Sequence, residues 1–146
     1  MQVLETTLNK FARRTNARFW VGKRPDVRDG QLPISIARQV GLPTSKENAF
    51  ADDGLIRLTR TEAAHVLAVA GTTSLAYGPA SPRQSAIDDA KRALADLAEC
   101  ATFIGNGRWE DASSVNWIPL TNATFDCGVI GFDSEHAFIF WVEEDD

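Results

Sequence analysis

Apolar positions recur along this chain in two rhythms, helical in the first two thirds and extended near the end. In VLETTLNKFARR (3–14), Leu4, Leu8 and Phe11 fall at i, i+4 and i+7. The basic residues gather where they complement a helix dipole, which predicts an amphipathic helix that Asn16 is placed to end. ARFWVGK (17–23), with its aromatic and β-branched centre, predicts a strand. PISIARQVG (33–41) reads as a short helix opened by Pro33 and closed by Gly41. The rest of 24–54 is rich in Gly, Pro, Asp and Asn and reads as loop, long enough to be functional or to hold further order.

A short strand is expected at 55–58, and Thr59 with Glu62 has the spacing of a capping box. The helix that follows carries Ala63, Val66, Leu67 and Ala70 on one stripe, with Gly71 placed to end it. SPRQSAIDDAKRALADLAEC (81–100) predicts another helix: Ser81 as N-cap, Pro82 in the first helical position and Gln84 as reciprocal partner. Ile87, Ala90, Leu94, Leu97 and Ala101 share a face, and Asp88 with Arg92 makes an i,i+4 pair. After IGNG (104–107) the pattern turns to strands at 113–120, 124–132 and 136–143, the last two forming a hairpin through the link DSE.

In the final strand Phe138, Phe140 and Val142 point one way, and Ala137, Ile139 and Trp141 the other. Both faces are apolar, so both must be covered. The expected architecture is a single α+β domain over residues 1–146, about three helices packed with an antiparallel sheet of four to six strands.

Composition narrows the chemistry. At 146 residues, 44% apolar and 24% charged, the chain has the make-up of one globular domain. No apolar run approaches the roughly 18 residues of a membrane span, and the N-terminus lacks the order of a signal peptide. A cytoplasmic protein without membrane partners is expected, with Cys100 and Cys127 as free thiols. His65, His136 and the cysteines have no chelating spacing, so no metal is expected. Neither thiol has an activating neighbour in the sequence, and Glu110–Asp111 and Asp88–Asp89 read as solvated acids, so no catalytic residue is assigned. No glycine-rich turn fits a phosphate or dinucleotide pattern, and no cofactor is expected. Trp109 and Trp117 fit a core better than an interface.

The net charge of -5 conceals an asymmetry. Residues 1–40 hold eight basic side chains against three acidic, whereas residues 101–146 hold one basic against nine acidic. The two ends are expected to attract each other in the fold. Direct nucleic-acid binding is disfavoured despite Phe11, Phe19 and Trp20 among the basic residues, because the pI is near 5.0.

The closing segment, FDCGVIGFDSEHAFIFWVEEDD, resembles that of small bacterial immunity proteins, which neutralise secreted toxins of interbacterial competition. The resemblance rests on an aromatic hairpin, the WVEEDD finish and an acidic single domain. It implies a non-enzymatic inhibitor that occludes a cognate protein toxin, such as a nuclease with a basic cleft. An acidic surface would speed that encounter. The candidate contacts are Asp133, Glu135, Glu143, Glu144, Asp145 and Asp146, with the loops at 24–54 and 105–112 as alternatives. The competing reading is a small ligand-binding or enzymatic domain with a pocket between the sheet and the 24–54 loop.

Overall fold

The computed structural model describes residues 1–42, 55–75, 81–109, 121, 123 and 125–145. Along the chain run α1 (Gln2–Ala12), β1 (Ala17–Lys23), a 3-10 turn (Asp29–Gln31), α2 (Leu32–Arg38), β2 (Ile56–Leu58), α3 (Arg60–Thr72), α4 (Gln84–Leu94), β3 (Thr102–Gly105), β4 (Phe125–Phe132) and β5 (His136–Glu144). The strands form one antiparallel sheet in the order β1-β5-β4-β3-β2, so the expected single-domain α+β arrangement is the one found.

The two-faced character of the last strand organises these layers. Phe138, Phe140 and Val142 enter a core with Leu4, Leu8 and Phe11 of α1 and the apolar residues of α3 and α4. Ala137, Ile139 and Trp141 enter a second cluster with Leu32, Ile36, Ala37 and Leu42. Helix α2 thus covers the face opposite the other three helices. Each large side chain so buried contributes about 1.5–3 kcal/mol. α2 ends at Arg38, and the turn after it closes at Gly41, the residue expected to stop the helix, whose φ of +79° lets Leu42 N–H reach the Ala37 carbonyl and the Leu42 side chain enter the second cluster.

The predicted capping box of α3 is present in both directions, with Glu62 N–H donating to Thr59 Oγ1 at 3.1 Å and Thr59 N–H to Glu62 Oε1 at 2.9 Å. That backbone bond from Thr59 holds the Glu62 carboxyl below its ordinary pKa against the opposing effect of burial, and Arg108 adds to it. Arg60, next in line, donates to the carbonyls of Leu94 and Ala98 and so closes the C-terminal end of α4.

Three local expectations need correction. Gly71 does not end α3, which runs on to Thr72. It lies where α1 crosses, and a Cβ there would stand 2.4 Å from the Phe11 ring, so its role is close packing. Ser81 and Pro82 precede α4 instead of capping it: the N-cap is Arg83, with no side-chain cap bond. Arg92 pairs with Asp89, already held by Lys10 at 2.9 Å, while Asp88 accepts from Gln84. The four-residue β3 has no counterpart among the sequence expectations, and the strand expected at 113–120 lies outside the described residues.

Trp109 is buried in the helix-side core with a left-handed φ of +55°. His65 Nε2 lies 2.8 Å from its carbonyl, which only accepts, so this nitrogen carries the proton and donates.

If Gly71 serves packing, Gly71→Ala should lower stability by about 1–3 kcal/mol in a denaturant titration, through overpacking against Phe11. Helix propensity alone predicts the opposite sign, a gain of about 1 kcal/mol.

Candidate functional site

The link Asp133-Ser134-Glu135 joins β4 to β5, and Asp133 holds it together. Its Oδ1 accepts from the backbone N–H groups of Glu135 at 2.8 Å and His136 at 2.7 Å, and its Oδ2 accepts from Ala98 N–H at 3.0 Å. Burial raises the pKa of this carboxyl, but the three backbone donors and the nearby His136 outweigh it, so the net shift is downward. Asp133 is thus a buried anchor that ties the hairpin turn to the segment after α4.

Arg24 clamps the same turn from β1. Its backbone N–H donates to Glu135 O at 2.9 Å, Nη1 donates to Asp133 O at 3.0 Å, and the guanidinium lies 5.4 Å from the centre of the Phe132 ring. Asp29 pairs with it at 2.7 Å. The turn is therefore fixed from two sides, and it holds Glu135 out in solvent. Glu135 stands at the rim of an open groove of about 950 Å³, bounded by Met1 and Glu5 of α1, Val21 of β1, and Pro25, Asp26 and Val27 beyond it. Val27 is one of only two large hydrophobics left exposed among the described residues.

The remaining candidates lie at the other end of β5. Nine residues separate the ends, a span of about 26 Å at strand rise, so the six expected contacts do not form one patch. Glu143 pairs with Arg18 at 2.8 Å, and Arg18 also donates to the Val40 carbonyl. Glu144 accepts from Ser74 Oγ at 2.6 Å and from Leu75 N–H at 2.8 Å, fastening the segment after α3 to the sheet. Asp145 is exposed, and Asp146 lies outside the described residues. The basic N-terminal third and the acidic C-terminal third do meet, through β1 against β5 and the Arg18–Glu143 pair.

Elsewhere Asp126 is fully buried, accepting from Asn106 Nδ2 at 2.6 Å and Thr121 N–H at 2.7 Å. Beside it the Cys127 thiol is pushed well up in pKa, first by burial and then by the Asp126 charge, which opposes thiolate formation. Both cysteines are free. A second open groove, of about 830 Å³ and basic, lies between α1, the end of α3 and the start of α4, with Lys10, Arg14 and Arg83 on its walls. Among the described residues, no three His, Cys, Asp or Glu side chains gather as metal ligands do, and no helix is long and apolar enough to cross a membrane. Of the two alternative loops, 43–54 and 110–112 lie outside the described residues.

Sequence reasoning placed Asp133 and Glu135 together but missed the difference between them, since only the fold puts the Ala98 amide against one. It also missed Arg24, which in the sequence is one of eight basic residues in the first forty. Compared with known protein families, curated proteins and solved structures, the chain matches none.

The lowered pKa of Asp133 sets a sign for acid unfolding. A carboxylate depressed in the folded state contributes stability that is fully present above its unfolded pKa of about 3.9 and is lost as pH falls through the folded value. Asp133→Asn should cost about 2–4 kcal/mol at neutral pH, because an amide cannot accept from all three N–H groups. The gap between variant and wild type, followed by denaturant titration at a series of pH values, should narrow below about pH 4.

Proposed function

We propose that the chain is an immunity-type protein, a non-enzymatic inhibitor that acts in the cytoplasm by occluding a cognate protein toxin. The observation that carries this reading is an exposed carboxylate, carried on a turn whose backbone is fixed, at the rim of a groove with both apolar and charged walls. Glu135 projects from a turn fixed by Asp133 and Arg24, beside the groove that contains Met1, Val21 and Val27. A surface already in its bound shape avoids the ordering penalty of association, which favours tight inhibition. Around the groove Glu5, Asp26 and Glu135 are set against Lys23 and Arg24, so its charge is mixed, and the exposed Glu135 on the rim is the carboxylate offered to a cation of a partner's basic cleft, where complementary charge raises the rate of encounter.

At the other end of β5, Glu143 and Glu144 hold Arg18, Ser74 and Leu75, so in this reading they are structural first. The contact set contracts to Glu135 and its groove, with Asp145 as a separate exposed acid. One observation also favours the competing reading of a ligand-binding domain: the groove lies between the sheet and the start of the 24–54 loop, where that reading puts its pocket.

The reading predicts that the gene beside this one encodes a toxin, that co-expression with this chain rescues cells from it, and that the purified pair associates with a salt-dependent rate. Glu135→Lys should slow association about tenfold and flatten the salt dependence without changing the melting temperature. Replacing Glu143 and Glu144 by Gln should lower the melting temperature and leave the association rate nearly unchanged. Failure of the adjacent gene product to bind, or tolerance of it by cells lacking this chain, would sink the reading.

A further inference from the structure

We propose that the groove between α1, the end of α3 and the start of α4 binds a small phosphate-bearing anion, either the phosphate ion or the phosphate monoester of a compact organic molecule. At about 830 Å³ it has the size of a small-molecule site. It shares no lining residue with the groove at Glu135, so the inference stands apart from the toxin reading.

The charge of this groove runs against that of the chain. The sequence carries a net charge of -5, yet among the described residues the walls hold Lys10, Arg14 and Arg83 against the single carboxylate of Asp89. That carboxylate is already shared between Lys10, at 2.9 Å, and Arg92, which lies outside the lining. The hydrogen bond from Lys10 first, and that from Arg92 after it, outweigh burial and hold its pKa below the ordinary value. Asp89 therefore stays ionised at neutral pH and offsets only one of its two cations. The side chains of Arg14 and Arg83 make no hydrogen bond or ion pair among the described residues. On the far side of Arg14 a smaller recess, of about 310 Å³, reaches Glu143 and Glu144, but Arg18 holds the first and Ser74 with Leu75 holds the second. Two unpaired guanidiniums on one recess repel each other, and an anion between them removes that cost.

The hydroxyls of the walls sort in the same direction. Thr72 and Thr73 donate to the Ala68 and Val69 carbonyls and Ser74 donates to Glu144, so the α3 wall has no hydroxyl proton to offer. Ser81 and Ser85, on the wall built by the start of α4, donate to nothing among the described residues. Phe11 and Pro82 supply apolar surface beside these donors, enough for a small organic group. The planar fork of a guanidinium matches the oxygens of a phosphate, and the excess of positive charge suits a dianion better than chloride or a single carboxylate.

The test is a titration of the ¹⁵N-labelled full chain with sodium phosphate, and separately with adenosine monophosphate, following the backbone amides. It is run at about pH 8, where both phosphates are mostly dianions, with sodium chloride holding the ionic strength constant. Saturable shifts confined to residues 10–14, 72–74 and 81–86 are expected. Tighter binding of the nucleotide assigns the ester, and equal or tighter binding of inorganic phosphate assigns the free ion. Arg14→Gln with Arg83→Gln should weaken binding about tenfold or more and leave the rest of the spectrum in place, since neither side chain holds another residue. Arg13→Gln with Lys91→Gln, which removes two exposed cations outside the groove, should leave the affinity nearly unchanged. Shifts that never saturate, that spread over cations elsewhere on the surface, or that persist in the Arg14 and Arg83 double variant overturn the proposal. So does a response to single-stranded RNA or to anionic phospholipid vesicles with none to either small phosphate, which would make this a surface for macromolecules instead.

Discussion

A strand that is apolar on both faces admits one solution in water: something must lie on each side of it. β5 imposes that condition on the rest of the chain. Its even-numbered residues 138, 140 and 142 recruit α1, α3 and α4, and its odd-numbered residues 137, 139 and 141 recruit α2. Its two neighbours come from opposite ends of the sequence, β4 through a tight turn and β1 from the N-terminus. The glycines of β4 serve the same strand, for a Cβ at Gly128 would stand 2.4 Å from the Trp141 ring and 2.2 Å from the Phe140 carbonyl oxygen.

What the sequence makes legible is what depends on neighbours a few residues away. The capping box at Thr59 and Glu62, the αL turn at Gly41 and the alternation in β5 are local, and the fold keeps each of them. Gly71 and Ser81 mislead for a common reason: a residue suited to a local role was taken up by a tertiary one, or bypassed. Gly71 gives room to Phe11 across a helix crossing, and α4 starts three residues after the serine that looked like its cap. β3 is four residues long, too short for periodicity to announce, and it exists because β4 and β2 bracket it.

The acidic residues show the same division more sharply. In the sequence Asp133, Glu135, Glu143 and Glu144 are equivalent carboxylates near an aromatic run. In the fold, Asp133 accepts three backbone N–H groups, Glu143 meets Arg18, and Glu144 fastens the end of α3, while Glu135 is held out in solvent. None of those partners lies within reach by spacing alone except the two turn amides. Long-range charge attraction between the chain's ends was readable in bulk; which carboxylate it would leave exposed was not. The proposed site follows from that sorting, since a surface contact needs a charge that folding has not already engaged.

The proposed partner would bind at the turn end of the sheet, over Glu135 and the groove beside it. Amide hydrogen exchange of the chain, free and bound to the product of the adjacent gene, tests that placement most directly. Slowed exchange concentrated at residues 21–27 and 134–136, with the Glu143–Asp145 end unchanged, is the result expected. Protection confined to the Glu143–Asp145 end or to the basic groove around Arg14 and Arg83, or none anywhere, would contradict it.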